Sequence, residues 1–304
     1  MAVPRKNILS DPAVPFTNNE AERDGREVRY RVADPTELGV IIAAASGTHI
    51  DLTGVALESG DSIPSRFVGA GIVSRGVDAV TITGGAIRGY RYGVRIEGGR
   101  AHRVTGSDLS GSRNQRVRST PARPDAADHL EIMRPDTFER YGGGVLLQRT
   151  VGASVTGITA RGAQNGIALL EVRDSYVADN DLASNNGWGI HLWRSSRNII
   201  ARNRVDHTRR CESQVPAADC GAAAVLLREE SDSNTITDND LTASSLGFLL
   251  AGEPRLAMDG SGIVHRSGHP PPSQALQHRV ARLQVRRRRQ SSWSNPAAAG
   301  RASP

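Results

Sequence analysis

The sequence predicts an all-β solenoid, and three observations point to it. Pentads with one plan begin at Gly93, Gly144, Gly166, Gly189, Ala224 and Gly247. In each, a small residue is followed by alternating apolar and variable positions, which is the period of a strand. The uninterrupted steps between leading residues are 22 from Gly71 to Gly93, 22 from Gly144 to Gly166 and 23 from Gly166 to Gly189. Glycine is abundant, at 32 residues, and aromatics make up only 4%, which suits many tight turns around a narrow aliphatic core. A fixed repeat of this length marks stacked units that bury one continuous core.

The elements follow in order. Residues 1–33 are polar and rich in turn formers, and read as a loosely held arm. Asp34 at an N-cap, Pro35 at the first helical position and Glu37 at the third predict a capping helix over 34–46. Such a helix would cover the open end of the solenoid; an ordinary surface helix is the alternative. Strands begin at Ile50 and Leu52, and Gly71 opens the first clear rung. Each rung then carries a second apolar patch, such as Val80/Ile82, Val155/Ile158, Tyr176/Val177, Ile199/Ile200 and Thr235/Ile236. Asn180, Asn203 and Asn239 occupy matching places after three of these patches, where stacked amides can satisfy turn backbone groups.

Two breaks interrupt the period. The step from Gly93 to Gly144 is 51 and that from Gly189 to Ala224 is 35, leaving insertions at 113–141 and 208–221. Both fall at the same point of the repeat, so they are expected on one side of the solenoid. At roughly 4.8 Å per strand, three rungs separate them by about 14 Å. Two walls with bare turns between them predict a groove, a common placement for binding in repeat proteins.

Together with the Asp-Asn-Asp-Leu turns at 179–182 and 238–241, these strands resemble the right-handed parallel β-helix family. Within it, the chain is similar to the pectate-lyase-like superfamily and its NosD-type repeats over about residues 50–252. The resemblance implies the fold and an extracellular or periplasmic setting, although no secretory signal is visible at the start. It leaves activity open, because that fold serves lyases, hydrolases, epimerases and non-catalytic modules. The Asp-Pro-His, Gly-His-Gly and Arg-Ile-Lys signatures of its better-known enzymes are absent.

The formal charge of +6 is located in the tail. Residues 260–304 hold eight Arg and no acid, which leaves 30 basic against 32 acidic residues in the rest. The body therefore gives no reason to expect a specific nucleic-acid partner. The stretch 259–304 reads as a disordered basic tail. A sharper reading is a reading frame lost near residue 256, which sequencing the locus would test. No apolar run approaches the length of a membrane span.

Strand alternation sorts the pentads into two faces. Val94/Ile96, Val145/Leu147, Ile167/Leu169, Ile190/Leu192, Val225/Leu227 and Phe248/Leu250 are expected inside. Arg95/Glu97, Leu146/Gln148, Ala168/Leu170, His191/Trp193 and Leu226/Arg228 are expected outside. An outward Trp193 beside His191, Arg194 and Arg228 suits a sugar ring, with its apolar face and many hydroxyls; the alternative is a tryptophan packed under a loop. These residues and Gln148 form the expected floor of the groove. The wall is His207, Arg209 and Arg210, with guanidinium groups suited to carboxylates and an imidazole able to act near neutral pH.

His191, His207, Arg209 and Arg228 are the catalytic candidates. Trp193, Arg194, Arg210 and Gln148 are the substrate-binding ones. Carboxylates for acid–base work would come from Asp125, Asp128, Glu131, Asp136 and Glu139, or from Glu171, Glu229 and Glu230. Cys211 and Cys220 pair as a loop-clamping disulfide in an exported protein, at about 2–3 kcal/mol. A zinc site of His207, Cys211 and Cys220 matches no common spacing, so no metal or cofactor is expected. The sequence thus points to a carbohydrate-active or polysaccharide-binding β-helix, a lyase, hydrolase or epimerase on acidic polysaccharide if catalytic, with a non-catalytic module for adhesion, scaffolding or NosD-like periplasmic assembly as the alternative. Oligomeric state is left open.

Overall fold

The computed structural model describes residues 20–251, except 25–26, 121–122, 124, 132–135 and 211–220, together with strands at 256–259, 263–265 and 278–287. The chain winds as a right-handed parallel β-helix. Its front sheet is built from Ile41–Ala43, Ala70–Arg75, Tyr92–Glu97, Gly143–Gln148, Asn165–Leu170, Trp188–Trp193, Ala223–Arg228 and Phe248–Ala251, all parallel and in sequence order. A back sheet stacks His49–Asp51, Thr81–Thr83, Arg103–Thr105, Ser154–Thr156, Tyr176–Ala178, Ile199–Ala201 and Thr235–Asp240. A third line of contacts runs as single bridges through Ala86, Asp108, Thr159, Asp181, Arg204 and Asp240.

The strand alternation holds inside the coil. Val94, Ile96, Val145, Leu147, Ile167, Leu169, Ile190, Leu192, Val225 and Leu227 belong to one continuous buried cluster. The last rung departs from it: Phe248 is only partly buried and Leu250 is 38% exposed, because the sheet ends there. The leading glycines are there for space. A Cβ on Gly144 would lie 2.5 Å from the Cβ of Ala160, and one on Gly166 would lie 2.5 Å from the Gly189 carbonyl.

The asparagine stack forms as expected. Asn180 Nδ2 donates to Asn203 Oδ1 (2.8 Å), and Asn203 Nδ2 donates to Asn239 Oδ1 (2.9 Å). A second buried ladder, through Ser175, Asn198 and Asn234, lines the preceding turn.

Two elements differ from expectation. No helix forms over 34–46; this segment makes a turn and the strand Ile41–Ala43, parallel to Ala70–Arg75. Asp34 does cap amides, those of Leu38 (3.1 Å) and Gly39 (2.9 Å), but it also accepts the Ala70 amide (3.0 Å) from the next rung. Glu37 and Gly39 then take left-handed φ values of 58° and 104°, which stop helix propagation and steer the chain into the sheet. The supposed arm is also partly structured. Glu27–Arg31 runs parallel to Val55–Glu58 and antiparallel to Glu20–Asp24, and Tyr30 and Val32 pack against the core.

At the far end, His278–Arg287 lies antiparallel to Thr235–Asp240 and pairs with Leu256–Asp259 and Ile263–His265. The remainder of the basic tail lies outside the described residues.

Candidate functional site

The outer surface of the front sheet carries three rows of side chains. In-register pairing places Val73, Arg95, Leu146, Ala168, His191, Leu226 and Leu249 in one row. Arg75, Glu97, Gln148, Leu170, Trp193, Arg228 and Ala251 form the next row. Tyr92, Asn165, Trp188 and Ala223 stand three residues before the first row on their strands.

This surface is not the open floor that alternation suggests. Leu146, Ala168, His191, Leu226 and Arg228 are fully buried, and Trp193 is nearly so. The cover is the first insertion, which folds back across the sheet instead of standing up as a wall. Its short helix, Thr137–Arg140, places Phe138 over the face. The Phe138 ring stacks within 9° of parallel on both His191 (4.6 Å) and Trp193 (5.5 Å). Tyr141 meets Trp188 edge-on at 5.5 Å, and Leu130 completes that side.

Polar contacts hold the cover down. Tyr92 Oη donates to the carbonyls of Phe138 (2.7 Å) and Tyr141 (2.8 Å). Glu139 bridges to Arg95 at 2.8 Å. Asp128, buried at the base of the insertion, accepts the amides of Arg118 (2.9 Å) and Ser119 (2.6 Å). Burial pushes its pKa up, but hydrogen bonds from Ser119 and Arg118 outweigh that and hold it below the usual carboxylate value.

The expected site residues now separate. The fold brings together His191, Trp193 and Arg228, with the Arg228 guanidinium 4.5 Å above the Trp193 ring. Trp193 Nε1 donates to Glu229 Oε2 (2.7 Å), as does Arg194 Nε (3.0 Å), while the rest of Arg194 stays half exposed. Gln148 is half-buried at the rim.

Arg210 does not line an open groove. It is buried against the first insertion, with its Nε on the Asp128 carbonyl and its Nη groups near Asn186 and Gln115. His207 and Arg209 are exposed on the neighbouring turn and engage Asp206 and the Ala243 carbonyl instead. Cys211 and Cys220 lie outside the described residues.

The residues that sequence reasoning missed are Phe138, Tyr141, Trp188 and Tyr92 as one aromatic set. The signal was present in Leu146, Ala168 and Leu226: apolar side chains at outward positions need a cover.

The electrostatics follow from burial. His191 is pushed well below its ordinary value by desolvation and then by the nearby Arg228 cation, so its imidazole is neutral. Desolvation also lowers the Arg228 pKa, with Glu229 and Glu131 opposing. Stability is therefore expected to fall as pH drops from about 7 to about 5. The unfolded chain protonates His191 near its ordinary pKa of about 6.5 and the folded chain does not, so stability rises with pH across that window, by up to about 1.4 kcal/mol per unit. His102, also lowered by burial, contributes with the same sign. Urea unfolding of wild type and His191→Leu at each pH isolates the His191 share; parallel curves for the two chains would refute it.

Fold and site define the class: a right-handed parallel β-helix whose front sheet is roofed by an insertion. The profile of the family described as "Periplasmic copper-binding protein (NosD)" matches residues 46–255, and the chain belongs to the NosD family. No curated protein matches it. Among solved structures, it is similar to the Dettilon tailspike protein, with 15% identity, a TM-score of 0.46 and coverage of 74% of this chain and 39% of that one. It is also similar to PfbA, a surface adhesin of Streptococcus pneumoniae, with 9% identity, a TM-score of 0.39 and coverage of 75% and 70%. DFA-IIIase from Arthrobacter chlorophenolicus shows 12% identity, a TM-score of 0.37 and coverage of 77% and 63%. The chain thus spans about two-fifths of the tailspike's length.

The described residues do not fit a copper centre. No three of their His, Cys, Asp and Glu side chains converge as a metal site. His191 has aromatic rings and the Arg228 cation around it, which supply no further ligand and repel a metal ion. The whole chain holds three Met and two Cys, a small stock of soft ligands. Among the described residues, no helix is long and apolar enough to cross a membrane.

Proposed function

We propose that this chain is an exported, non-catalytic β-helix module that binds acidic polysaccharide along the roofed face. The periplasmic description of its family supports export. The observation that carries the non-catalytic reading is that the candidate groups on the front face are either tied to neighbouring side chains or covered by the roof. His191 and Arg228 lie beneath it, Asp128 anchors its base, Glu139 ties it to Arg95, and Glu229 is engaged by Trp193 and Arg194. Glycoside cleavage needs two carboxyl groups placed across a bond that the substrate can reach, and these carboxylates are otherwise employed. The rim, with half-buried Gln148 and exposed Arg194 and Glu139, offers hydrogen bonds and both charges to a sugar chain.

The test is a panel of uronate polysaccharides, with binding read by titration and turnover read by unsaturated-sugar absorbance and by reducing ends. Binding without product is expected. Product formation that survives repurification of the chain would overturn the non-catalytic reading, and failure to bind any member would overturn the binding one.

A further inference from the structure

The face under Phe138 is mostly apolar, yet it holds two groups that an apolar contact does not require. His191 shares its row with Leu146, Ala168 and Leu226, and Arg228 stands beside Trp193 and Leu170. His191 and Arg228 are both 0% exposed. Neither imidazole nitrogen has a hydrogen-bond partner, and neither do Nε and Nη2 of Arg228. Nη1 alone of the guanidinium reaches a hydroxyl, that of Thr137, at 3.4 Å.

The unsatisfied pair is chemically specific. Nε and Nη2 form one edge of the guanidinium, and such an edge grips a carboxylate through two parallel hydrogen bonds. The neighbouring carboxylate of Glu229 stands off at 4.0 Å from Nη2, drawn away by Trp193 Nε1 and Arg194. Burying such an edge unmatched is unfavourable, and an aliphatic residue at either position would avoid it. Above it, the Phe138 ring lies flat on Trp193 and His191, the orientation a six-membered sugar ring takes on an aromatic platform.

We propose that this is a binding site closed by its own insertion: a pyranose bearing a carboxylate displaces the Phe138 ring, stacks on Trp193 and sets its carboxylate on the Nε–Nη2 edge of Arg228. The His191 nitrogens meet the hydroxyls of that ring. The inference rests on the polysaccharide-binding reading above and gives it a subsite and a ligand class, a uronic acid. The segment that moves is 136–141, held at its rim by Tyr92 and by the Glu139–Arg95 pair.

Titration of the full chain with trigalacturonate, and with uncharged maltotriose for comparison, tests it. Phe138→Ala is expected to bind trigalacturonate about tenfold tighter than wild type or better, because opening no longer opposes binding. Maltotriose should show no such gain, and adding Arg228→Gln should abolish it. In wild type, trigalacturonate should speed exchange of the Arg140 and Tyr141 amides, which the closed helix protects. That arm decides the matter if Phe138→Ala does not fold.

An equal gain for both sugars overturns the proposal, as does a folded Phe138→Ala chain with no gain. Unchanged exchange in wild type at saturating trigalacturonate overturns it too. If polysaccharide binding persists untouched by Phe138→Ala and Arg228→Gln, the closed site falls and the binding function stands. If no chain binds any uronate, both fall.

Discussion

Gly189→Val is expected to destabilise the β-helix by about 3 kcal/mol or more, since overpacking in a filled core reaches that range. Gly189 has no left-handed φ, so its lack of a side chain answers a shortage of space. A Cβ there would run into Val205 Cγ1 and lie 2.8 Å from the Ala224 carbonyl and 3.3 Å from Thr208 Oγ1. Two of these neighbours are fixed by the stack itself: Val205 fills the coil, and Ala224 leads the next rung. Neither can retreat without separating two rungs, and in a solenoid each rung is held only by its neighbours.

Gly152→Ala provides the contrast. Its φ of 66° is left-handed but nothing lies within 4 Å of an added Cβ, so its cost is backbone strain of about 1–2 kcal/mol. Thermal unfolding followed by far-UV circular dichroism should show Gly189→Val shifted down by about 6–12 °C, well beyond Gly152→Ala. A Gly189→Val shift no larger than that of Gly152→Ala would show that the leading glycines are not close-packed.

The same geometry explains what was legible in the sequence. A coil with one residue pattern per rung repeats its constraints, so the glycines, the inward Val94/Ile96 type pairs and the Asn180–Asn203–Asn239 stack all recur at a readable spacing. The roof does not recur. Phe138, Tyr141 and Leu130 contact residues on several strands through a single excursion of chain, and no period announces where such an excursion lands. Alternation places His191, Trp193 and Arg228 on the outer surface, but outer and exposed are separate properties. They separate when a loop covers the sheet, and Leu146, Ala168 and Leu226 carried that information. The missing helix at 34–46 has another cause. Asp34 and Pro35 are sound start signals, but Gly39 and the Ala70 amide from the next rung redirect the cap toward a strand, a tertiary effect that local sequence does not contain.

Asn203→Ala is expected to cost about 3–5 kcal/mol, more than an ordinary turn asparagine would. Its Oδ1 accepts from the Asn180 amide (3.1 Å) and from Asn180 Nδ2 (2.8 Å); its Nδ2 donates to the Val177 carbonyl (2.9 Å) and to Asn239 Oδ1 (2.9 Å). All of this is buried. On truncation, Asn180 Nδ2 keeps the Val155 carbonyl, and Asn239 Oδ1 keeps the Asn203 amide. The Asn180 amide and this donor to the Val177 carbonyl are not replaced in kind, and each buried group left unmatched costs roughly 1–3 kcal/mol.

Asn203→Asp separates shape from hydrogen bonding. The carboxylate keeps the acceptor for Asn180 but places a second oxygen against Asn239 Oδ1, so it cannot donate and must bury a charge. It is therefore expected to be at least as damaging as alanine near neutral pH and to recover as the pH falls toward protonation of the carboxyl. Urea unfolding of both variants at two pH values checks this. A loss under about 1 kcal/mol for Asn203→Ala, within the range of a single exposed hydrogen bond, would mean that the ladder decorates the turn, while the front-sheet core alone sets the stacking of the rungs.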